Sequence, residues 1–351
     1  MKLCLQKLIM GIFIFVDAML MAQTSGVNTG VFRFLDIPVT AKDGSLGTNQ
    51  IALNDRDLNL SFNNPALISN QISNQLAFNY VDYLANINYG SIVYCKDIDK
   101  FGPLLFGLQY VNYGKIQSAD PNGQITGNFS AADYALSVSL GRKIDSLISV
   151  GINLKAIYSH LDVYSAVGTS LNIGATYIKQ NKLEVFSLVF KNLGYQWIGY
   201  QNGMHEPLPY QLQFGYSRRL SKAPFRFGII FSHLEKWNLS YLDSTTIQPA
   251  FGSTLAAPVK NSNLDFLDQF ARHLNLTWEI FLGKSFMLRA GYNYQRQQEL
   301  KLLGVGSFSG FSLGFGFKLA HVEFNYGYAQ YSIGAASNHF SLIAHLNEFY
   351  K

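Results

Sequence analysis

Charge is what this 351-residue sequence has least of: Asp, Glu, Lys and Arg make up 14% of it, against roughly 25% in an ordinary soluble domain. Cysteine is nearly absent, with only Cys4 and Cys95. Two such cysteines exclude a disulfide framework and any CxxC metal pair. The seven histidines (160, 205, 233, 273, 321, 339 and 345) are scattered, and none has the HExxH spacing of a zinc site. His339 and His345 share a face of one segment but lie about 20 Å apart along it, too far to share an ion. Gly310-Phe311-Ser312-Leu313-Gly314 has GxSxG spacing but lies inside an alternating segment, so no GxSxG elbow appears, and neither does a Walker A loop. No cluster of Lys and Arg supports nucleic-acid binding at a formal net charge of +5.

What is abundant is apolar and aromatic surface: 48% hydrophobic residues, 27 Phe, 21 Tyr and 30 Gly. That is ample to bury, so the chain is not disordered, and an aromatic, glycine-rich composition argues against a soluble helical protein. The first residues read as an export signal over 1–22. Lys2 and Lys7 precede an apolar run from Leu8 to Met21, and a cleavage point follows Ala22. A membrane anchor is the alternative, but the run is shorter than the roughly 20 residues a spanning helix needs. Cleavage would remove Lys2, Lys7 and Asp17, taking the net charge from +5 to about +4.

From residue 73 onward the chain alternates with period two. Tyr134, Leu136, Val138 and Leu140 alternate with Ala135, Ser137, Ser139 and Gly141; Ile148, Val150, Ile152 and Leu154 alternate with Ser149, Gly151 and Asn153. Such alternation defines strands with two unlike faces. Their length of about 10 to 13 residues suits a tilted bilayer crossing. A polar face of Gly, Ser, Asn and Gln suits a lumen better than open water. Tyrosines near segment ends (Tyr80, Tyr83, Tyr110, Tyr113, Tyr292, Tyr294, Tyr328, Tyr331) suit an interfacial girdle.

Fourteen segments are expected: 73–83, 86–97, 102–114, 129–142, 147–160, 168–180, 183–193, 208–220, 223–236, 268–282, 285–297, 307–319, 320–331 and 336–346. Connections after even segments are tight. Most after odd segments are long (115–128, 161–167, 194–207, 237–267, 298–306), as when short turns face the periplasm and long loops face outward. The expected fold is all-β, an antiparallel transmembrane barrel over 73–351. Residues 23–72 do not alternate and are expected to form a hatch inside the lumen. Asn63, Asn64, Pro65 and Ala66 would turn the chain just outside the wall into the first strand. Strand glycines such as Gly314 and Gly316 are read as lumen space or curvature.

Loops 194–207 and 237–267 mix aromatics with turn formers. Trp197, Tyr200, Trp237, Tyr241 and Phe251 are the candidate partner-docking residues. The same composition fits loops that only shield the lumen. For catalysis the candidates are His160 with Asp162 and His233 with Glu235, each better explained as rim polarity. Arg218, Arg219, Arg226, Arg272, Arg289 and Arg296 are read as lumen or rim charges. No catalytic residue, metal ligand or cofactor is expected.

The stretches TGVFRFLDIPVTAKDGSLGTNQIAL (29–53) and LSFNNPALIS (60–69) resemble the N-terminal region of the PorV/PorQ family of Bacteroidetes. FSHLEKWNLSY (231–241), FARHLNLTWEIFLGKSFMLRAGYNYQRQQEL (270–300) and FSGFSLGFGFKLAHVEFNYGYAQYSIGAASNHFSL (308–342) extend the likeness over nearly the whole mature chain. This family is related to the FadL fatty-acid transporters, fourteen-stranded outer-membrane barrels with an N-terminal hatch. The resemblance implies a component of the type IX protein secretion system. In that system such a barrel anchors a PorZ-like surface protein among the attachment components (PorU, PorV-like), at a lipopolysaccharide-bearing surface. It carries over no individual functional residue. A FadL-type transporter of hydrophobic small molecules is the alternative.

Overall fold

The structure is a computed structural model that describes residues 30–201, 203–239, 266–300, 308–332 and 335–348. The expected signal peptide, Tyr241 and Phe251 lie outside these residues. Fourteen strands follow the chain: β1 Gln75–Asp82, β2 Asn88–Ile98, β3 Gly102–Ala119, β4 Ile125–Lys143, β5 Ile148–Leu161, β6 Tyr164–Ile178 and β7 Glu184–Ile198 form the first half. The second half comprises β8 Gln211–Arg219, β9 Phe225–Phe231, β10 Leu274–Leu282, β11 Phe286–Asn293, β12 Phe311–Lys318, β13 Val322–Ser332 and β14 Ala335–His345. Each strand pairs antiparallel with its sequence neighbours, and β1 pairs with β14, from Gln75↔His345 to Asp82↔Asn338, to close the barrel. Closure gives every strand a hydrogen-bonded neighbour on both sides, which is what a sheet surrounded by hydrocarbon requires.

Alternation translates directly into two faces. On β5, Ser149, Gly151, Asn153, Lys155 and Ile157 point into the lumen, while Ile148, Ile152, Leu154 and Tyr158 are 41–60% exposed on the outside. The outer surface of the wall is therefore an apolar band, with Phe78, Ile92, Leu136, Trp278, Leu313 and Leu342 among its members. The lumen face is not uniformly polar. Ala77, Val93, Cys95, Leu105, Val189, Ile230 and Ile343 also point inward, and each packs in an apolar cluster with residues that precede the first strand.

All fourteen expected segments exist as strands, but several boundaries move. Residues 115–128 and 161–167 were expected to be long loops. Instead β3 and β4 run on to a turn at 120–124, where Asp120 accepts from the Asn122 and Gln124 backbone N–H groups, and β5 passes to β6 through Asp162 and Val163. Side chains there still alternate, so the ladder continues past the bilayer. The tenth segment starts later, because Phe266–Arg272 forms helix α3, tied by an Asp268–Arg272 ion pair of 2.8 Å at i,i+4. The eleventh stops at Asn293, where Tyr294–Leu300 turns into helix α4. The ninth ends at Phe231, and His233 takes a left-handed φ of 58°. Connections after odd strands remain the long ones where the chain leaves the wall (199–210, 232–273, 294–310).

Ahead of β1 the chain forms two short helices, α1 Ala41–Leu46 and α2 Leu58–Asn63, with 3-10 turns at Arg33–Leu35, Pro65–Leu67 and Asn70–Ile72. Thr40 caps α1 by accepting from the Asp43 N–H, and Asp57 caps α2 by accepting from the Asn59 N–H. Every residue of both helices is buried, polar ones included. A segment of six-residue helices cannot be stable alone; it is held by the wall. This is the hatch, and it lies inside the barrel.

Candidate functional site

The hatch–wall interface is the most elaborate polar assembly in the molecule. It touches all fourteen strands. Asn59 and Asn79 on β1 exchange amide hydrogen bonds of 2.9–3.0 Å, Phe62 packs with Val93 on β2, and Gln109 on β3 donates to the Phe34 carbonyl at 2.8 Å. Asn192 on β7 donates to Asp36 at 2.6 Å, Ser217 on β8 donates to the Ala52 carbonyl at 2.5 Å, and the Ala41 N–H donates to Ser341 on β14 at 2.8 Å. Helix α1 also lies against β10.

Two rows of lumen glycines bring backbone against backbone. Gly141, Gly151 and Gly174 are register partners across β4, β5 and β6. A Cβ on Gly151 would sit 2.3 Å from the Pro65 carbonyl carbon, and one on Gly141 2.5 Å from the Pro65 oxygen. Opposite, Gly291, Gly314 and Gly327 on β11–β13 receive α1, with virtual Cβ positions 2.2–2.4 Å from Leu46, Ser45 and Ala41. These strand glycines are space for the hatch, as their position inside alternating segments suggested.

The Asn-Asn-Pro-Ala motif sits in the first cradle. It does not turn the chain outside the wall, because β4–β6 surround it within the lumen and 3-10 turn Asn70–Ile72 intervenes before β1. Asn64 is fully buried; its Oδ1 accepts from Ala66 N–H at 3.0 Å, and its Nδ2 donates to the Ile51 carbonyl at 2.7 Å and to Thr176 at 2.9 Å. Asn63 donates to both Asp43 carboxylate oxygens, at 2.9 and 2.8 Å. Pro65 starts the 3-10 turn, where a missing N–H costs nothing. Burial pushes the Asp43 carboxyl above its ordinary value, opposed by hydrogen bonds from Gln50, Asn63 and Thr40.

A chain of buried charges joins the hatch to the wall. Lys42 on α1 pairs with Asp57 (2.6 Å) and Asp55 (3.1 Å); Asp55 receives the Arg226 guanidinium from β9; Arg226 also pairs with Glu279 on β10, and Glu279 pairs with Arg289 on β11 at 3.2 Å. Arg289 ends the chain on Asn325 at 2.7 Å. Burial alone would raise the Asp55 carboxyl, but the attraction of Arg226 and Lys42 outweighs it and holds the group well below the usual carboxylate range. Burial without partners would be prohibitive for any one of these ions. A second set of buried ions is Lys155 and Lys191, which border a small cavity with Asn49, Asn63 and Asn172, and Asp36, which accepts from Asn192. These sets were not anticipated as a site. The signal was available, since Lys155, Lys191, Arg226, Glu279 and Arg289 all fall at lumen parity within apolar-alternating segments.

At the long-loop end the docking candidates occupy different settings. Trp197 was expected in a loop, but β7 runs on to Ile198 and carries it on its outer face; it is 59% exposed, donates to Thr169 at 2.9 Å and meets Tyr195 edge-on at 5.2 Å. Tyr200 is half-buried, and its hydroxyl meets Ser159, which in turn donates to Asp133. Trp237 is 49% exposed between Phe266 (5.2 Å) and His273 (5.6 Å). Tyr83, Tyr113 and Tyr331 do not form a lipid girdle. Tyr83 and Tyr113 pack on the Val31–Leu35 cluster of the hatch, and Tyr331 meets Tyr83 edge-on at 5.2 Å. Their odd positions put them on the lumen side.

The paired polar groups at the rim are structural in their contacts. His233 Nδ1 lies 3.1 Å from Glu235, whose other oxygen accepts from the Leu212 N–H at the start of β8. Asp162, beside His160, occupies a left-handed position (φ 54°) at the β5–β6 turn. Arg226 and Arg289 are buried lumen charges, Arg272 is buried beside the rim helix and Arg218 and Arg219 are exposed. Among the described residues no three His, Cys, Asp or Glu side chains converge as metal ligands.

Charge is divided between the two ends. Around the short turns stand Lys96, Lys100, Arg142, Lys143, Lys179, Lys182, Arg218, Arg219, Lys222, Lys284 and Lys318 against Asp97, Asp99, Asp145, Glu184 and Glu323. Around the described part of the long connections acids lead instead: Asp82, Asp120, Asp162, Glu206, Glu235, Asp268 and Glu299 against Lys115, Lys236, Arg272 and Arg296.

A closed antiparallel barrel with an apolar exterior, a polar and charged interior and an internal hatch is a bacterial outer-membrane barrel. No family model matches the chain, and no curated protein matches it. Solved structures similar to it include the Pseudomonas putida toluene transporter TodX, at 11% identity over 88% of this chain and 97% of that one, with a TM-score of 0.46. A Pseudomonas aeruginosa FadL homologue is similar at 12% identity over 88% and 98% of the two chains, TM-score 0.47. A deltaS2 mutant of the TodX monoaromatic hydrocarbon channel is similar at 13% identity over 87% and 96%, TM-score 0.49.

Proposed function

We propose that the chain is a PorQ-type member of the PorV/PorQ family, a non-enzymatic outer-membrane component of type IX secretion that anchors a PorZ-like surface protein. The observation that supports this reading best is the hatch itself. It is fixed to every wall strand, through backbone contact at the glycine rows and through the buried ion chain. Such a lumen suits a rigid platform. The long-loop end supplies exposed aromatic surface on that platform, Trp197 above all, and aromatic anchors dominate protein interfaces. PorU and PorV-like attachment components and lipopolysaccharide belong to the same reading.

A FadL-type transport role for hydrophobic small molecules is the second reading. It draws on one feature of the wall: Asn192 bulges out of β7 with φ 57°, and beyond Lys191 β7 no longer pairs with β8. The deciding experiment is a mild-detergent pull-down of the tagged protein from its own membranes. The docking reading expects a PorZ-like protein to co-purify, and expects Trp197→Ala to weaken its binding by about 2 kcal/mol. Recovery of a bound fatty acid with no such partner would favour transport.

A further inference from the structure

The short-turn end holds a cleft that the docking and transport readings leave unused. It lies between the turns 179–183 and 220–224, has a volume of about 240 Å³, and is lined by Asn181, Leu183, Glu184, Arg218, Arg219 and Lys222. At about 30 Å³ per liquid water, that is room for several solvent molecules or one phosphate ester group. Its one acid, Glu184, is taken up by Lys179 at 3.2 Å. Arg218 and Lys222 make no ion pair among the described residues, so the cleft carries unneutralised positive charge. Arg219, the next residue, lies at lumen parity opposite Arg226, its guanidinium 4.3 Å from the Phe281 ring centre, which leaves Arg218 and Lys222 as the cations available to a lipid.

The height of the cleft relative to the membrane is fixed by its neighbours. Tyr177, Phe186, Tyr216 and Phe227 form a continuous outward-facing aromatic row across β6–β9, with ring centres 4.8–6.4 Å apart. Aromatic rows of this kind mark the boundary between head groups and hydrocarbon. Arg218 follows Tyr216 on the same outer face, about 7 Å further along β8. The cations therefore stand at head-group level, directly beyond the apolar wall.

We propose that this cleft binds the phosphate of an anionic phospholipid head group, with the acyl chains lying along the Phe186–Tyr216 face. Arginine fits the role because its planar fork donates two parallel hydrogen bonds to phosphate oxygens. Basic pockets beside a membrane-spanning wall are built for such lipids.

The test is native mass spectrometry of the intact barrel from nanodiscs containing phosphatidylglycerol or phosphatidylcholine, with inorganic phosphate as a third probe. The wild-type protein should retain phosphatidylglycerol over phosphatidylcholine. Arg218→Gln with Lys222→Gln should reduce that retention by about fivefold for each cation removed, while Lys96→Gln with Lys100→Gln, which removes equal charge at another turn, should leave it intact. Heat-modifiable gel migration confirms that each variant is a folded barrel. Equal retention of both lipids, or equal loss in the Lys96/Lys100 variant, overturns the site. Inorganic phosphate displacing the lipid at comparable concentration would make it a free-anion site and overturn the lipid assignment.

Discussion

Asn64 illustrates how much one side chain carries in this barrel. It satisfies a backbone carbonyl of the hatch, a hydroxyl of the wall and its own turn. Asn64→Ala would leave the Ile51 carbonyl without this partner in a buried site, while Thr176 keeps Ser187 at 2.9 Å, so the cost should be about 1–3 kcal/mol for the one group stranded. The chemical-denaturation midpoint in detergent should fall accordingly, and an unchanged midpoint would remove Asn64 from the set of hatch anchors. Asp55 makes a pH prediction. Its carboxyl is held below the ordinary value, near 3.9 in an unfolded chain. A depressed carboxyl binds fewer protons folded than unfolded, so its contribution is fully present above that unfolded value and is lost as pH falls through the folded one. Stability should therefore hold from pH 7 to about 5 and decline in stronger acid. Asp55→Asn should flatten the acid limb of that profile; an identical limb in the variant would place the acid sensitivity elsewhere.

At the scale of elements, the strands were the readable part of the sequence because a wall strand has two solvents and must alternate. Fourteen periodic segments became fourteen strands. Their ends were not readable, since the ladder continues wherever side chains can still alternate, as at Lys115–Ala119 and Ile125–Asn128. Helices α3 and α4 were hidden for a different reason: each abuts a strand, and residues from Asp268 and up to Gln297 read as the start and end of the tenth and eleventh alternating segments. Within the hatch, sequence could exclude strand and solvent, which left the lumen. It could not say that Pro65–Leu67 faces glycines nearly a hundred residues away, because that contact exists only once the barrel closes. The Gly141–Gly151–Gly174 row makes the point testable. Gly151→Val places a Cβ against the Pro65–Ala66 peptide backbone and should cost about 1–3 kcal/mol by overpacking. Ile152→Val, one residue away and facing lipid, should be nearly neutral. Equal effects of the two would mean that the hatch does not rest on this row.

The whole molecule is a barrel with unlike ends and a filled middle. Its basic short-turn end and more acidic long-loop end give it a charge axis along the membrane normal. Of the chemistry that could be named from sequence, scattered histidines and rim carboxylates, His233 and Glu235 meet at 3.1 Å and Glu235 holds the Leu212 N–H at the start of β8. The groups that organise the lumen are charges buried at lumen parity, legible by position but not by partner. Lys42, Asp55, Arg226, Glu279 and Arg289 come together from five separate elements. Held in this way, the hatch should seal the lumen, and ion conductance of the full chain in a planar bilayer reads that seal. The wild-type protein should show no steady open level, and opening events should appear once Asp55→Asn and Gly151→Val loosen the hatch together. A stable, ion-conducting pore in the wild-type protein would contradict it.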